Sequence, residues 1–253
     1  MAALDGKHAL VTGGGSGIGA AIALALADEG AEVTIAGRRA QPLEELAEKM
    51  SGLYPRTADV TDETSVRDLF EAAKEARGPV DIVVANAGAV ESAPFGRTSL
   101  DLWNRHLAVN LTGVFLTLRE GLDQMRRSDW GRLITVASTA GLKGYPYVVP
   151  YCAAKHGVVG LTRALALETA KTGITVNALC PGYTETPLLD GAVSTISTKS
   201  GMSEEGARET LASVSPQGRF VRPEEVAAAA LYLCGPCSGA VTGQALSISG
   251  GEI

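Results

Sequence analysis

Short apolar runs rich in β-branched residues alternate with longer amphipathic stretches along most of the chain. HALVT (8–12), EVTIAG (32–37), a weaker run over 53–57, VDIVVANAG (80–88), GRLITVAS (131–138), ITVNALCPG (174–182) and QALSIS (244–249) predict strands. Between them, 19–30, 41–50, 62–77, 151–173 and 223–234 carry helical patterning, with a long helical segment between the fourth and fifth strands. The helix at 223 opens on Pro followed by two acids, which suits its N-terminal dipole. Strands that read as continuous apolar runs, each followed by a helix, imply a parallel sheet covered on both faces. The expected fold class is α/β: one Rossmann-like, doubly wound domain over 1–253 with about seven parallel strands. Residues 183–222 read as the main irregular segment, Ser/Thr/Gly-rich and directly after a strand end, which predicts a substrate lid at about 187–215.

Composition narrows the function classes. The 253 residues are 45% hydrophobic and 20% charged, as in an ordinary globular domain, and the net charge of −6 argues against nucleic-acid or anionic-membrane partners. No N-terminal leader pattern and no apolar run of bilayer length is present, so a cytoplasmic location with reduced cysteines is expected. No metal site is predicted. The most conspicuous motif is Cys234-Gly235-Pro236-Cys237, the spacing of thioredoxin-like redox proteins. A redox cysteine of that kind sits at a helix N-terminus, whereas Cys234 ends a predicted helix, where the dipole disfavours a thiolate. The pair is therefore expected to be a turn rather than a redox centre.

The first strand runs into VTGGGSGIGAA (11–21). Glycines there allow a sharp turn and close approach of a pyrophosphate to the backbone, and the following helix offers free N–H groups and a positive dipole end. The second strand ends in Gly37-Arg38-Arg39 with no acid to bind a ribose 2′-hydroxyl or repel a 2′-phosphate. Two guanidiniums can pair with such a phosphate, so NADP(H) is expected over NAD(H). Tyr151 and Lys155 lie four apart on one predicted helix face, and Ser138 stands at the C-terminal end of a buried strand. A carbonyl accepting hydride needs a proton on its oxygen. A neighbouring ammonium, helped by the positive charge of the oxidised nicotinamide, is expected to lower the phenol's ordinary pKa of about 10, and a serine hydroxyl can hold the developing alkoxide. His156 points off this face and is expected to be structural.

Together these residues resemble the short-chain dehydrogenase/reductase family along nearly the whole chain. The matching pieces are TGGGSGIG (12–19), Asp59-Val60, Asn86-Ala87-Gly88, Asn110 in AVNLTG, Ser138, Tyr151, Lys155, PGYTET (181–186) and VTGQALSISGG (241–251). The resemblance implies that Tyr151 is the acid/base and that Lys155 binds the nicotinamide ribose and tunes it. Ser138 would orient the carbonyl, and Asn110 would hold a water in a proton relay. Cofactor binding would fall to Gly13, Ser16, Gly17, Ile18, Gly19, Arg38, Arg39, Asp59, Val60, Asn86, Ala87, Gly88, Tyr151, Lys155, Pro181, Gly182, Thr184 and Thr186. Asp59 and Val60 would flank the adenine, and the 181–186 segment the nicotinamide. Two departures stand out: Ala85 where many members have a second Asn, and Ser16 where NADP-preferring members often carry a basic residue.

The resemblance further implies a homotetramer built partly through helices around 104–127 and 151–170, and a small-molecule ketone/alcohol substrate, with an acyl thioester among the options. Segment 153–189 is similar both to β-ketoacyl and polyketide ketoreductases and to 3-hydroxybutyrate-type dehydrogenases, while 218–233 and 240–251 lean to the former. The alternatives are an NAD-dependent 3-hydroxybutyrate, 3-hydroxyacyl or other secondary-alcohol dehydrogenase, a catalytically silent dinucleotide sensor, and the thiol oxidoreductase already weighed. Lys199 and Arg208 could meet a phosphopantetheine phosphate, although solvated surface charge is the plainer reading.

Overall fold

A computed structural model describes residues 3–126 and 128–253. Seven parallel strands form one sheet in the order β3-β2-β1-β4-β5-β6-β7. They are β1 His8–Thr12, β2 Glu32–Gly37, β3 Leu53–Thr57, β4 Ile82–Ala85, β5 Gly131–Val136, β6 Ile174–Pro181 and β7 Ala245–Ile248. The helices are α1 Gly17–Asp28, α2 Ala40–Ala47, α3 Glu63–Arg77, α4 Leu100–Leu107, α5 Gly113–Met125, α6 Val149–Thr169, α7 Pro187–Ser200, α8 Glu204–Ala212 and α9 Pro223–Cys234.

The continuous apolar strands have the cause inferred from sequence: both faces of the sheet are covered. β1, β4, β5 and β6 are buried at every position. Period-two alternation sends Leu10, Val83, Ala85 and Leu133 into a core shared with α3, α5 and α6. Their neighbours Ala9, Val11, Ile82, Val84 and Ile134 enter a second core with α1, α2 and α9. Pro55, which has no N–H to donate, lies on the edge strand β3. Strand order reverses between β1 and β4, which leaves a crevice at their C-terminal ends.

Local signals fix several helix ends. The Asp62 carboxylate accepts from Thr64 N at 2.9 Å and caps α3. At α9, Glu225 accepts from Arg222 N at 2.8 Å, and buried Arg132 donates from Nε to Leu233 O at 3.0 Å near the other end. Between α4 and α5 the helix widens into a π-turn, Ala108–Thr112.

Residues 183–222 are more ordered than their composition suggests. They contain α7 and α8, joined through Gly201 at a φ of 74°. Leu189, Val193, Ala207, Leu211 and Phe220 pack into a small core of their own. Thr186 and Ser203 cap the two helices by accepting from Leu189 N and Gly206 N. The apolar positions are sparse among small polar residues, so the helical period is weak until the two helices pack on each other. No described helix is long and apolar enough to cross a membrane.

His8, at the start of β1, is buried with its Nδ1 2.9 Å from Gly78 O and its Nε2 2.9 Å from Thr34 Oγ1. A carbonyl only accepts, so Nδ1 carries the proton and Nε2 accepts from the Thr34 hydroxyl. Burial lowers the pKa of this imidazole below its ordinary 6.5. The unfolded chain then takes up the proton first, so stability is lost as pH falls through that ordinary value. His8→Gln should be less stable than the parent at pH 7 by ~1 kcal/mol and should lose stability less steeply between about pH 7 and pH 5. Urea unfolding across that range checks both, and parallel slopes would contradict the assignment.

Candidate active site

The glycine turn between β1 and α1 is packed without slack. A Cβ on Gly19 would lie 2.3 Å from Gly13 O and 2.4 Å from Asn86 Nδ2. One on Gly17 would lie 2.9 Å from Thr186 Cγ2. The expected residues of this loop and of the β4 end are thus brought together. Asn86 Nδ2 donates to Thr12 O at 2.9 Å and Gly13 O at 3.2 Å. Thr12 Oγ1 accepts from Asn86 N at 3.1 Å and Ala87 N at 3.2 Å. This clamp bridges β1 and β4 at the point where strand order reverses. Ser16 is exposed at the start of α1, and Ile18 packs on the α1-side core.

On the β2–β3 side, Arg38 and Arg39 are exposed beyond Gly37. Neither forms a salt bridge among the described residues. The Asp59 carboxylate accepts from Thr61 N at 2.9 Å and Thr61 Oγ1 at 2.7 Å. Those bonds, with a smaller pull from Arg38, hold it below the usual carboxylate range. Val60 is buried and faces α5, where a Cβ on Gly113 would come within 2.8 Å of Val60 Cγ2.

The second cluster forms across β5, α6 and the π-turn. Ser138 follows β5, and its Oγ accepts from Ala140 N at 3.0 Å, which leaves the hydroxyl proton free to point elsewhere. Tyr151 and Lys155 occupy successive turns of α6. Lys155 is 2% exposed, and its Nζ donates to Val136 O at 2.7 Å and lies 5.6 Å from the centre of the Tyr151 ring. Asn110 sits in the π-turn, fully buried; its Nδ2 donates to Ala89 O at 2.8 Å and His106 O at 3.1 Å, and its Oδ1 accepts from Ala89 N at 3.1 Å. π-Turns recur at functional positions because they re-aim one side chain of a helix. A Cβ on Gly88 would be 2.9 Å from Asn110 Oδ1 and 3.8 Å from Lys155 Nζ. Gly88, Asn110 and Lys155 are therefore neighbours.

The electrostatics correct one expectation. Burial pushes the Tyr151 phenol up to about 12, and the Ser138 hydroxyl beside it is the counteracting partner. Burial also brings Lys155 down to about 8. In the protein alone, without the nicotinamide charge that the expectation included, the phenol is not lowered: desolvation is the largest influence on it, and the counteracting one comes from Ser138.

Beyond β6, Thr184 Oγ1 donates to Gly182 O at 2.9 Å, and Thr186 Oγ1 donates to Thr184 O at 3.1 Å. Pro181 and Thr184 are buried, while Gly182 N donates to Ile248 O at 3.0 Å. His156 is exposed and its Nδ1 bonds Cys152 O. Sequence reasoning gave no role to Thr12 as the β1–β4 clamp or to the Val136 carbonyl. Thr12 could have been found as the last hydroxyl before the glycine turn, whereas a backbone carbonyl leaves no sequence signal.

Cys234 and Cys237 are both free, the first buried and the second exposed. Burial raises the Cys234 thiol to about 12, so desolvation disfavours a thiolate there.

A close-packed glycine turn ahead of a helix, exposed guanidiniums at the β2 end and a Ser–Tyr–Lys–Asn cluster at the crevice fit a nicotinamide dinucleotide, and with it an oxidoreductase of hydroxyl and carbonyl groups. Residues 7–196 match the family model for short chain dehydrogenases, and the chain belongs to that family. A protein assigned as a ketoacyl reductase from Streptomyces coelicolor is 42% identical, with 99% of this chain and 98% of that one covered. D-beta-hydroxybutyrate dehydrogenase from Cupriavidus necator is 40% identical over 99% of each chain. The crystal structure of an actinorhodin polyketide ketoreductase variant with NADPH superposes with a TM-score of 0.95 at 40% identity, covering 100% of this chain and 99% of that one.

Gly19→Ala should weaken NADPH binding at least about tenfold, since the new methyl must displace Gly13 O or Asn86 and with them the turn. Quenching of NADPH fluorescence measures it, and near-parental affinity would show that the turn relaxes freely.

Proposed function

We propose that the chain is an NADP(H)-dependent ketoreductase that interconverts a ketone and a secondary alcohol, with a β-ketoacyl or polyketide-type carbonyl as substrate. The observation that carries this is the convergence of Ser138, Tyr151, Lys155 and Asn110. The bound dinucleotide supplies the hydride and, in its oxidised form, a positive charge on the nicotinamide. In reduction, the Tyr151 hydroxyl gives its proton to the carbonyl oxygen as the carbon gains hydride. The Ser138 hydroxyl donates a hydrogen bond to the same oxygen and stabilises the alkoxide character of the transition state. Lys155, anchored on Val136 O, holds a positive charge beside the phenol and restores its proton through a path that passes Asn110. Burial keeps the phenol protonated at neutral pH in the protein alone, which is the form that reduction consumes.

Cofactor-binding roles follow the resemblance. Gly13, Ser16, Gly17, Ile18 and Gly19 line the pyrophosphate turn, and Asp59, Val60, Asn86, Ala87 and Gly88 the adenosine side. Pro181, Gly182, Thr184 and Thr186 border the nicotinamide, and α7–α8 form the lid. The preference for NADP(H) rests on Arg38 and Arg39, two exposed guanidiniums free to meet a 2′-phosphate. The relative with NADPH supports the same reading. A second reading, an NAD-dependent 3-hydroxybutyrate dehydrogenase, is favoured by the similarity to the Cupriavidus necator enzyme. Exposed Phe115 on α5 and Leu167 on α6 support contact between copies, as in a tetramer.

Ketones and β-ketoacyl thioesters offered with NADPH and NADH, followed at 340 nm, test cofactor and substrate class together. Tyr151→Phe should lower kcat by about 10²–10⁴ with NADPH affinity little changed, since it removes only the transferable proton. Surviving turnover would reject the assignment. Arg38→Ala should raise the KM for NADPH about tenfold and leave that for NADH unchanged. Equal effects on both cofactors would remove the basis for the NADP(H) preference.

A further inference from the structure

The last four residues, Gly250-Gly251-Glu252-Ile253, lie beyond the segment that matches the family model. Gly250 and Gly251 both adopt positive φ, 63° and 90°, and turn the chain back on itself. A Cβ on Gly250 would fall 2.5 Å from Ser215 Oγ, so side chains are excluded there by space as well as by φ. The turn carries Glu252 inward, and its side chain is only 3% exposed.

Three groups from one loop receive or flank that carboxylate. Lys143 Nζ lies 2.9 Å from Glu252 Oε1. The Tyr145 hydroxyl donates to the same oxygen. Thr139 Oγ1 is 2.7 Å from the Tyr145 hydroxyl. A phenol has one proton, and the carboxylate takes it, so Thr139 is the donor to Tyr145. The chain of bonds therefore runs from Thr139 through Tyr145 to Glu252, with Lys143 balancing the charge. Thr139 is buried and directly follows Ser138. On the other side, a Cβ on Gly182 would sit 3.2 Å from Glu252 Oε2, and the Tyr183 ring meets Tyr145 edge-on at 6.3 Å. Glu252 thus joins the loop that carries Ser138 to the segment that follows β6.

We infer that Glu252 is a positioning residue for carbonyl reduction, acting through Tyr145 and Thr139 to hold Ser138 against the reacting oxygen. The inference rests on the role of Ser138 and Tyr151 given above. A buried carboxylate held by an ammonium and a phenol hydroxyl is a fixed anchor, and a serine that must meet a developing alkoxide needs its backbone fixed. Loss of the anchor should weaken an interaction made in the transition state while leaving ground-state binding in place, so kcat and kcat/KM fall together.

The test compares Glu252→Ala, Glu252→Gln, Tyr145→Phe and the Tyr145→Phe/Glu252→Ala double variant, with kcat expressed per NADPH-binding site from fluorescence titration. Glu252→Ala and Tyr145→Phe should each lower kcat about tenfold, with ketone KM and NADPH Kd within about twofold of the parent. Because they act in one chain of bonds, the double variant should lose no more than either single one. Glu252→Gln retains an acceptor for Tyr145 and should keep kcat within about threefold. A kcat near the parental value in Glu252→Ala, or multiplying losses in the double variant, overturns the inference. If Glu252→Ala does not fold, Tyr145→Phe carries the test, and unchanged turnover there overturns it equally. Tyr151→Phe in the same assay separates the two levels. If it stays active, the reading of the reaction fails; if it is inactive while Glu252→Ala and Tyr145→Phe turn over normally, this inference alone fails.

Discussion

A lysine ammonium buried to 2% exposure against one backbone carbonyl organises the proposed active site. Taking such a charge out of water costs on the order of several kcal/mol unless acceptors replace the lost solvent. The cost appears as the fall of Lys155 to about 8. The Val136 carbonyl, at the end of β5, is the acceptor that makes the position tolerable, and it is available because the strand ends there. α6 must then pack closely on the loop after β5: a Cβ on Gly141 would lie 2.7 Å from Lys155 O. That approach puts Tyr151, one turn earlier, beside Ser138. Asn110 comes to the same place only because the helix opposite widens into a π-turn.

The sheet supplies the other half of the site by topology. Reversal of strand order between β1 and β4 opens a crevice, and the Thr12–Asn86 clamp fixes its edges. The same strands bury apolar residues on both faces, so the crevice stands on a rigid floor while α7 and α8 rest on a small core of their own. Strand ends buried on both faces, against a helical pair packed on a core of its own, are the basis for proposing α7 and α8 as a lid.

Much of this was legible in the chain. The strands at 8–12, 32–37 and 131–136 announced themselves because burial on two faces leaves a largely apolar run, whereas the half-exposed edge strand at 53–57 left only a weak one. Tyr151 and Lys155 were legible because helix spacing alone puts four-apart residues on one face. The helices over 187–212 were not, because their apolar positions gain meaning only when Leu189 and Val193 meet Ala207 and Leu211. Nor could the direction of the Tyr151 shift be read, since proximity to a lysine is a sequence matter while desolvation depends on everything packed around the phenol.

Cys234-Gly235-Pro236-Cys237 shows the same division. Its spacing is a sequence property, but burial of Cys234 within the α9-side core decides that the thiol stays protonated. The sequence by itself determined the parallel α/β architecture, the glycine turn, the paired arginines and the Ser–Tyr–Lys set, because each rests on local period, backbone permissiveness or residue chemistry. Only the tertiary structure decided that Val136 O accepts from Lys155, that Asn110 faces Gly88 and that Glu252 reaches Tyr145. These contacts join residues 19, 22 and 107 positions apart, and no local pattern encodes which distant backbone atom or side chain will lie within hydrogen-bonding distance.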